Sequence, residues 1–189
     1  DRWFTFVAVL ALALGIGVNT TVFTFVNAVL IRGLPFESPH EIVYLATRDT
    51  TADADDSSPA SWHEFEHWRT RSRAFAGIAG FIGGQLNISD PDHPAERVSG
   101  ASVSAGTFGL LRQQPFLGRD FKAGEDQPGA APVVILGYRV WKNRYGGDAQ
   151  VLGRPLKINE VSYTIIGVMP EGMRFPVNAD LWRRLLQPG

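Results

Sequence analysis

The 189-residue chain contains no cysteine. That absence excludes disulfide staples and thiolate metal sites, and it suits either the cytosol or a bacterial extracytoplasmic space. Charge of one sign is missing too: 18 Lys and Arg stand against 19 Asp and Glu, for a formal net charge of -1, and no long basic block occurs. Without a basic face, and without helix-turn-helix, zinc-finger or aromatic-sheet signatures, no nucleic-acid partner is expected. No G-x-x-x-x-G-K-[ST] loop occurs, so no ATP site is expected, and "GIGVNT" sits inside an apolar run rather than after a strand. A G-x-S-x-G nucleophile elbow is likewise absent.

Charge disappears altogether between Trp3 and Ile31. About 20 apolar residues suffice to cross a bilayer as a helix, whereas the apolar part of a secretory signal runs only about 7–15. The run "WFTFVAVLALALGIGVNTTVFTFVNAVLI" therefore predicts a transmembrane helix, with Phe4 to about Val22 in the lipid and the more polar remainder emerging into water. Small residues recur on it at interhelical spacing: Ala11 with Gly15, and Ala13 with Gly17 and Thr21. Such rows let backbones approach closely in lipid, and Asn19 and Asn27 prefer protein or water to hydrocarbon. Membrane-helix packing is thus assigned to Ala11, Ala13, Gly15, Gly17, Asn19 and Thr21.

The chain as a whole is 44% hydrophobic, which is material for a core. Residues 1–31 are read as the membrane helix, 32–40 ("RGLPFESPH") as a linker punctuated by Pro and Gly, and 41–189 as one domain. "EIVYLAT" predicts a first strand and "RDTTADADDSSPA" an acidic loop that lacks EF-hand spacing. Ser61 and Glu64 form a capping-box pattern, so a helix should begin at Trp62. "FAGIAGF" predicts a short helix or a helix-to-strand passage, "IGGQLNIS" and "AERVSGASVSA" two strands joined by "DPDHP", and "GTFGLLRQQ" a short helix. The loop "PFLGRDFKAGEDQPGAA" precedes a buried strand, "PVVIL", and a helix, "GYRVWKNRYGG", closed by glycine. "PLKINEVSYTIIGVMP" alternates as a hairpin, and "DLWRRL" returns as a closing strand. Without a strict βαβ rhythm the class is α+β: a transmembrane helix followed by a mixed α/β domain.

One stretch suggests chemistry. His63-Glu64-Phe65-Glu66-His67 is a literal H-E-x-x-H, in which two histidines one turn apart can hold zinc and the Glu can activate water. At about 100° per residue, however, Trp62, Phe65 and Trp68 share the core-facing arc, and His63, His67 and Thr70 face outward. Glu64 already serves the cap, no extended third-ligand pattern follows, and His93 and Glu96 lie in a distant turn and strand. Arg119, Asp120, Glu125 and Asp126 read as a solvated turn rather than an acid-base pair. No metal, cofactor or catalytic residue is assigned.

"LALGIGVNTTVFTFVNAVLIRGLPF", "ERVSGASVSAGTFGLL", "PFLGRDFKAGED", "PVVILGYRVWKNRYGGDAQVLGRPLKINEVSYTIIGVMPEGMRFP" and "DLW" occur in an order and spacing that resemble the MacB-like periplasmic core region of FtsX-like ABC transporter permeases. The likeness runs from about Phe4 to Trp182 and is closest to the permease family abundant in acidobacteria. Ser61, Glu64, Phe65 and Trp68 match that family's helix pattern, and the two histidines fall on its variable positions. The resemblance implies an inner-membrane protein with its main domain in the periplasm and later membrane helices beyond this fragment. It implies no enzymatic activity in this segment, ATP hydrolysis on a separate ABC ATPase, pairing as a homodimer or with a sibling permease, and in some relatives a periplasmic adaptor. The alternatives are a membrane-anchored zinc hydrolase using His63, Glu64 and His67, and an anchored periplasmic binding module.

Overall fold

The computed structural model describes residues 2, 3, 6, 13–15, 17, 41–48 and 57–186. The chain divides into two units, Asp1–Pro35 and Phe36–Gly189. In the first, the described residues are helical, and Trp3 meets Phe6 edge-on with ring centroids 6.4 Å apart. A Cβ at Gly15 would meet no heavy atom within 4 Å. Among the described residues no helix is long and apolar enough to cross a membrane. Most of the predicted span, including Ala11, Asn19 and Thr21, lies outside the described residues, as does the linker.

The second unit opens differently from the sequence expectation. "EIVYLAT" forms no six- or seven-residue strand: only Thr47–Arg48 (β1) is extended in a ladder, paired antiparallel with Ser57–Ser58 (β2). Val43 and Tyr44 are both mostly exposed, so the in-out alternation that would place this segment in a sheet is not realised. Helix α1, Trp62–Arg71, starts where the cap predicts, with the Ser61 hydroxyl accepting from the Glu64 amide and the Glu64 carboxylate accepting from the Ser61 amide at 2.8 Å. Residues 74–80 are irregular rather than helical. Two close approaches account for this: a Cβ at Gly77 would stand 2.5 Å from Leu110, and one at Gly80 3.1 Å from the Phe65 ring.

Strands β3 (Phe81–Asp90) and β4 (His93–Val103) form the long hairpin that alternation predicts. The short helix α2 (Thr107–Leu110) and the two-residue β5 (Leu117–Gly118) follow, then β6 (Val133–Leu136) and helix α3 (Tyr138–Tyr145). Gly146, at φ 61, ends α3 in the left-handed region where glycine is cheapest. β7 (Pro155–Ile158) and β8 (Val161–Val168) are joined by Asn159 and Glu160, both at positive φ, the geometry that matches the twist of a two-residue hairpin. β9 (Leu181–Arg184) inserts between β6, to which it is antiparallel, and β4, to which it is parallel.

The sheet order is β5-β8-β6-β9-β4-β3-β7, and β7 pairs again with β8. The ladder therefore returns on itself through six strands, with β5 alongside. Inside the ring, alternate residues Leu86, Ile88, Val98, Val134, Leu136, Leu156, Ile158, Ile165 and Leu181 make one core, closed by Val140 and Trp141 of α3. Ala101, Val103, Val133, Ile135 and Trp182 project the other way, into a second core with Phe108, Phe121, Met169 and Met173. Period-2 alternation thus feeds both cores from the same strands. Each fully buried Leu, Ile or Val contributes about 1.5–3 kcal/mol of transfer free energy.

Candidate functional site

The H-E-x-x-H segment lies on α1 with Phe65 buried and His63 and His67 exposed. Hydrogen bonds from the Ser61 backbone and hydroxyl hold the Glu64 carboxyl below its usual range, so this group is occupied as a cap. Among the described residues, no three His, Asp or Glu side chains stand together as a metal site. His93 and Glu96 do not join the α1 histidines; they lie at the β3–β4 turn, beside Arg144.

At that turn the structure builds a polar knot that sequence reasoning missed. Asp90 accepts from Arg144 Nε at 2.8 Å and from the Tyr145 hydroxyl at 3.0 Å, while its other oxygen is 2.8 Å from His93 Nδ1. Arg144 also donates to the carbonyls of His93 and Pro94. Burial alone would raise the Asp90 pKa, but the hydrogen bonds from Arg144, His93 and Tyr145 outweigh it and hold the group down at about 2. Burial and the neighbouring Asp90 carboxylate push the Tyr145 phenol well above its ordinary value. Through Asp90, Glu96 and two carbonyls, the Arg144 guanidinium ties α3 to the hairpin tip. A signal was present: Arg144 stands four residues after Val140 and three after Trp141, on the face that α3 buries.

The charged loop is also less solvated than its composition suggests. Arg119 grips Glu125 with two bonds of 3.0 and 2.7 Å, and that bonding lowers the Glu125 pKa. Asp126 is buried and accepts from the Ala105 amide, and Arg184 donates to the carbonyls of Glu125 and Gln127. Burial raises the Asp120 pKa. Turn carbonyls and carboxylates are satisfied locally, which fits a braced loop rather than a proton-transfer pair.

Among the described residues, a concavity opens beside α3. A groove of about 340 Å³ runs between α3 and the segment Glu171–Asp180, lined by Tyr138, Arg139, Lys142, Asn143, Glu171 and Arg174 over a floor that includes Asp180. Asp180 is 4% exposed and is shared by two guanidinium groups, Arg139 Nη2 at 2.5 Å and Arg174 Nη2 at 3.6 Å. Its backbone is fixed as well, its carbonyl accepting from Gly137 and its amide donating to Ser99. Lys142 lies 5.0 Å from the Trp141 ring centroid and 5.9 Å from that of Tyr138. Sequence reasoning assigned none of these residues, because the groove is made by segments about 30 residues apart.

The mixed ring with two cores has known counterparts. A family profile described as the MacB-like periplasmic core domain matches residues 5–185. The chain belongs to this family. A macrolide export ATP-binding/permease protein, MacB, of Marinobacter nauticus is 33% identical to this MacB-like chain over 106 residues, which is 56% of the chain and 16% of that relative. The periplasmic region of MacB from Actinobacillus actinomycetemcomitans shares the fold with a TM-score of 0.54 at 11% identity, over 65% of this chain and 53% of that one. The extracellular domain of YknZ, a noncanonic ABC-type transporter from Gram-positive bacteria, gives 0.51 at 11% identity, over 64% and 60%. The chain spans a small part of the curated relative's length and a little over half of each solved domain. The α+β expectation and the MacB-like resemblance both hold; neither the zinc hydrolase nor the plain binding module is favoured.

Proposed function

We propose that this chain is the first membrane helix and periplasmic core domain of an ABC transporter permease, and that the domain relays ATP-driven movement of membrane helices to a partner or substrate on the periplasmic side. The observation that supports this reading is where the chain arrives and leaves. Ile42 packs against the second core and the Tyr44 ring lies 6.1 Å from that of Phe81, so the arriving chain meets the start of β3. The departing chain meets the same place: Leu185 donates to the Val103 carbonyl and approaches to 3.2 Å of where a Gly80 Cβ would stand. Movement delivered by the preceding helix, and by helices expected after the domain, would act on one edge of a closed, well-packed body and turn it as a unit.

In this proposal the ATPase is a separate domain or subunit, the permease pairs with a second copy or a sibling, and an adaptor is an optional partner. Ala11, Ala13, Gly15, Gly17, Asn19 and Thr21 would pack the first helix against its neighbours in the bilayer. This chain has no cysteine, so a single one can be placed in it, with any cysteine elsewhere in the permease replaced. Spin labels on a single cysteine at Lys157, in the full-length permease reconstituted with its ATPase, should report a distance between copies that changes between nucleotide-free and ATP-trapped states. An unchanged distance in a complex that hydrolyses ATP would overturn the proposal.

A further inference from the structure

The groove beside α3 has a charge distribution that does not close on itself. Three cations, Arg139, Lys142 and Arg174, line it with two carboxylates, Asp180 and Glu171. Asp180 is buried and already shared by both guanidinium groups. Lys142 is exposed and has no ion-pair partner among the described residues, and its ammonium lies 5.0 and 5.9 Å from the Trp141 and Tyr138 ring centroids. It presents a positive charge, weakly drawn to the two rings, at the edge of a lined concavity. At the end of the same aromatic cluster, Phe116 is 63% exposed and packs on Trp141 and Tyr138 at 5.8 and 6.4 Å. Aromatic and arginine side chains, here Tyr138, Phe116, Arg139 and Arg174, are enriched in protein contact sites.

We propose that this groove receives an extended, carboxylate-bearing segment of a partner polypeptide, with an acidic side chain on Lys142 and an apolar neighbour on Phe116. The position of the groove favours a polypeptide over a lipid headgroup. Asp180 stands immediately before β9, whereas Leu185, beside the arriving chain, follows it. Four strand residues stand between them, a separation of about 17 Å along the strand, so the groove lies at the end of β9 away from the edge where the chain arrives and leaves. This inference rests on the reading of the domain as a body that contacts partners. Its test needs neither transport nor ATP, so the two can fail separately.

The probe is a fluorescein-labelled peptide of glutamates ending in phenylalanine, measured by anisotropy against the whole chain in detergent, with the glutamine counterpart as control. The glutamate peptide should bind below about 1 mM at low salt and weaken as salt rises. Lys142→Ala should weaken it about threefold, and Glu171→Gln should tighten it by a similar factor, the size of single exposed charge contacts. Loss of fold cannot produce the second effect. Equal binding of the glutamine peptide, no binding of the glutamate peptide, or indifference to both substitutions would overturn the proposal. Displacement of the peptide by phosphatidylglycerol in mixed micelles with the same detergent, with the same response to both variants, would overturn it in favour of a lipid site.

Discussion

Arg144 Nε lies 2.8 Å from Asp90 Oδ2, joining side chains 54 residues apart that are each 5% exposed or less. Removing one partner leaves the other buried with only its weaker contacts, Glu96 and two carbonyls for Arg144 or His93 and Tyr145 for Asp90, at a cost of about 3 kcal/mol. Asp90→Ala should therefore lower the stability of the domain by roughly that amount in urea denaturation, with Glu96 still facing Arg144. The double variant Asp90→Ala/Arg144→Met should recover part of the loss, because neither charge is then left alone. Strictly additive losses would show that the pair is not coupled.

The same carboxylate predicts an acid limb. Its pKa falls from 3.8 to about 2 on folding, through hydrogen bonds that outweigh the opposing effect of burial. A depressed carboxylate stabilises the folded state above its unfolded pKa, and the contribution disappears as pH falls through the folded value. Stability should thus be flat in this respect above about pH 4 and lose on the order of 2 kcal/mol toward pH 2. Comparing urea midpoints of wild type and Asp90→Asn across that interval isolates the effect: the variant should lack this part of the slope.

Trp182 is fully buried, packs edge-on to Phe108 at 5.6 Å and donates its indole N–H to the Phe175 carbonyl at 2.8 Å. Trp182→Ala empties the centre of the second core and removes that hydrogen bond, for an expected loss of about 3–5 kcal/mol. Trp182→Phe, which keeps most of the ring, should cost less. Chemical denaturation of the two variants checks the order.

Helix α1 separates cap from accident. Ser61→Ala should cost about 1 kcal/mol through the lost cap. His63→Ala and His67→Ala, at exposed positions, should each stay within about 0.5 kcal/mol of wild type. Equilibrium dialysis should find no stoichiometric zinc on the chain; one equivalent, lost in either histidine variant, would revive the hydrolase reading.

What could be read beforehand was local. The capping box depends on four neighbouring residues, and the hairpins β3–β4 and β7–β8 on alternation and a short turn, so residue order carries them. "EIVYLAT" misled because it has strand-forming residues but no partner strand along most of its length, and strand propensity is largely a record of packing. The Asp90–Arg144 knot, the ring closure through β7 and β8 and the groove at Asp180 all require registers between distant segments. No periodicity within a segment encodes them. Of these, only Arg144 left a trace, as a charge on the buried face of a helix.

The place of β9 between β4 and β6 has a consequence for how the domain comes into being. Its partner strand β4 is complete some 80 positions earlier, with Val103 waiting for Arg184. Native neighbours this remote in sequence make contact order high and folding slow, since the intervening loop must be closed before the pairing stabilises anything. As the chain emerges from its N-terminus, the β3–β4 hairpin and the β6 segment are exposed with open flanks until the last strand is delivered. β9 is therefore a keystone in time as well as in space, and the interval before it arrives is when this domain is most exposed to aggregation or to a protease.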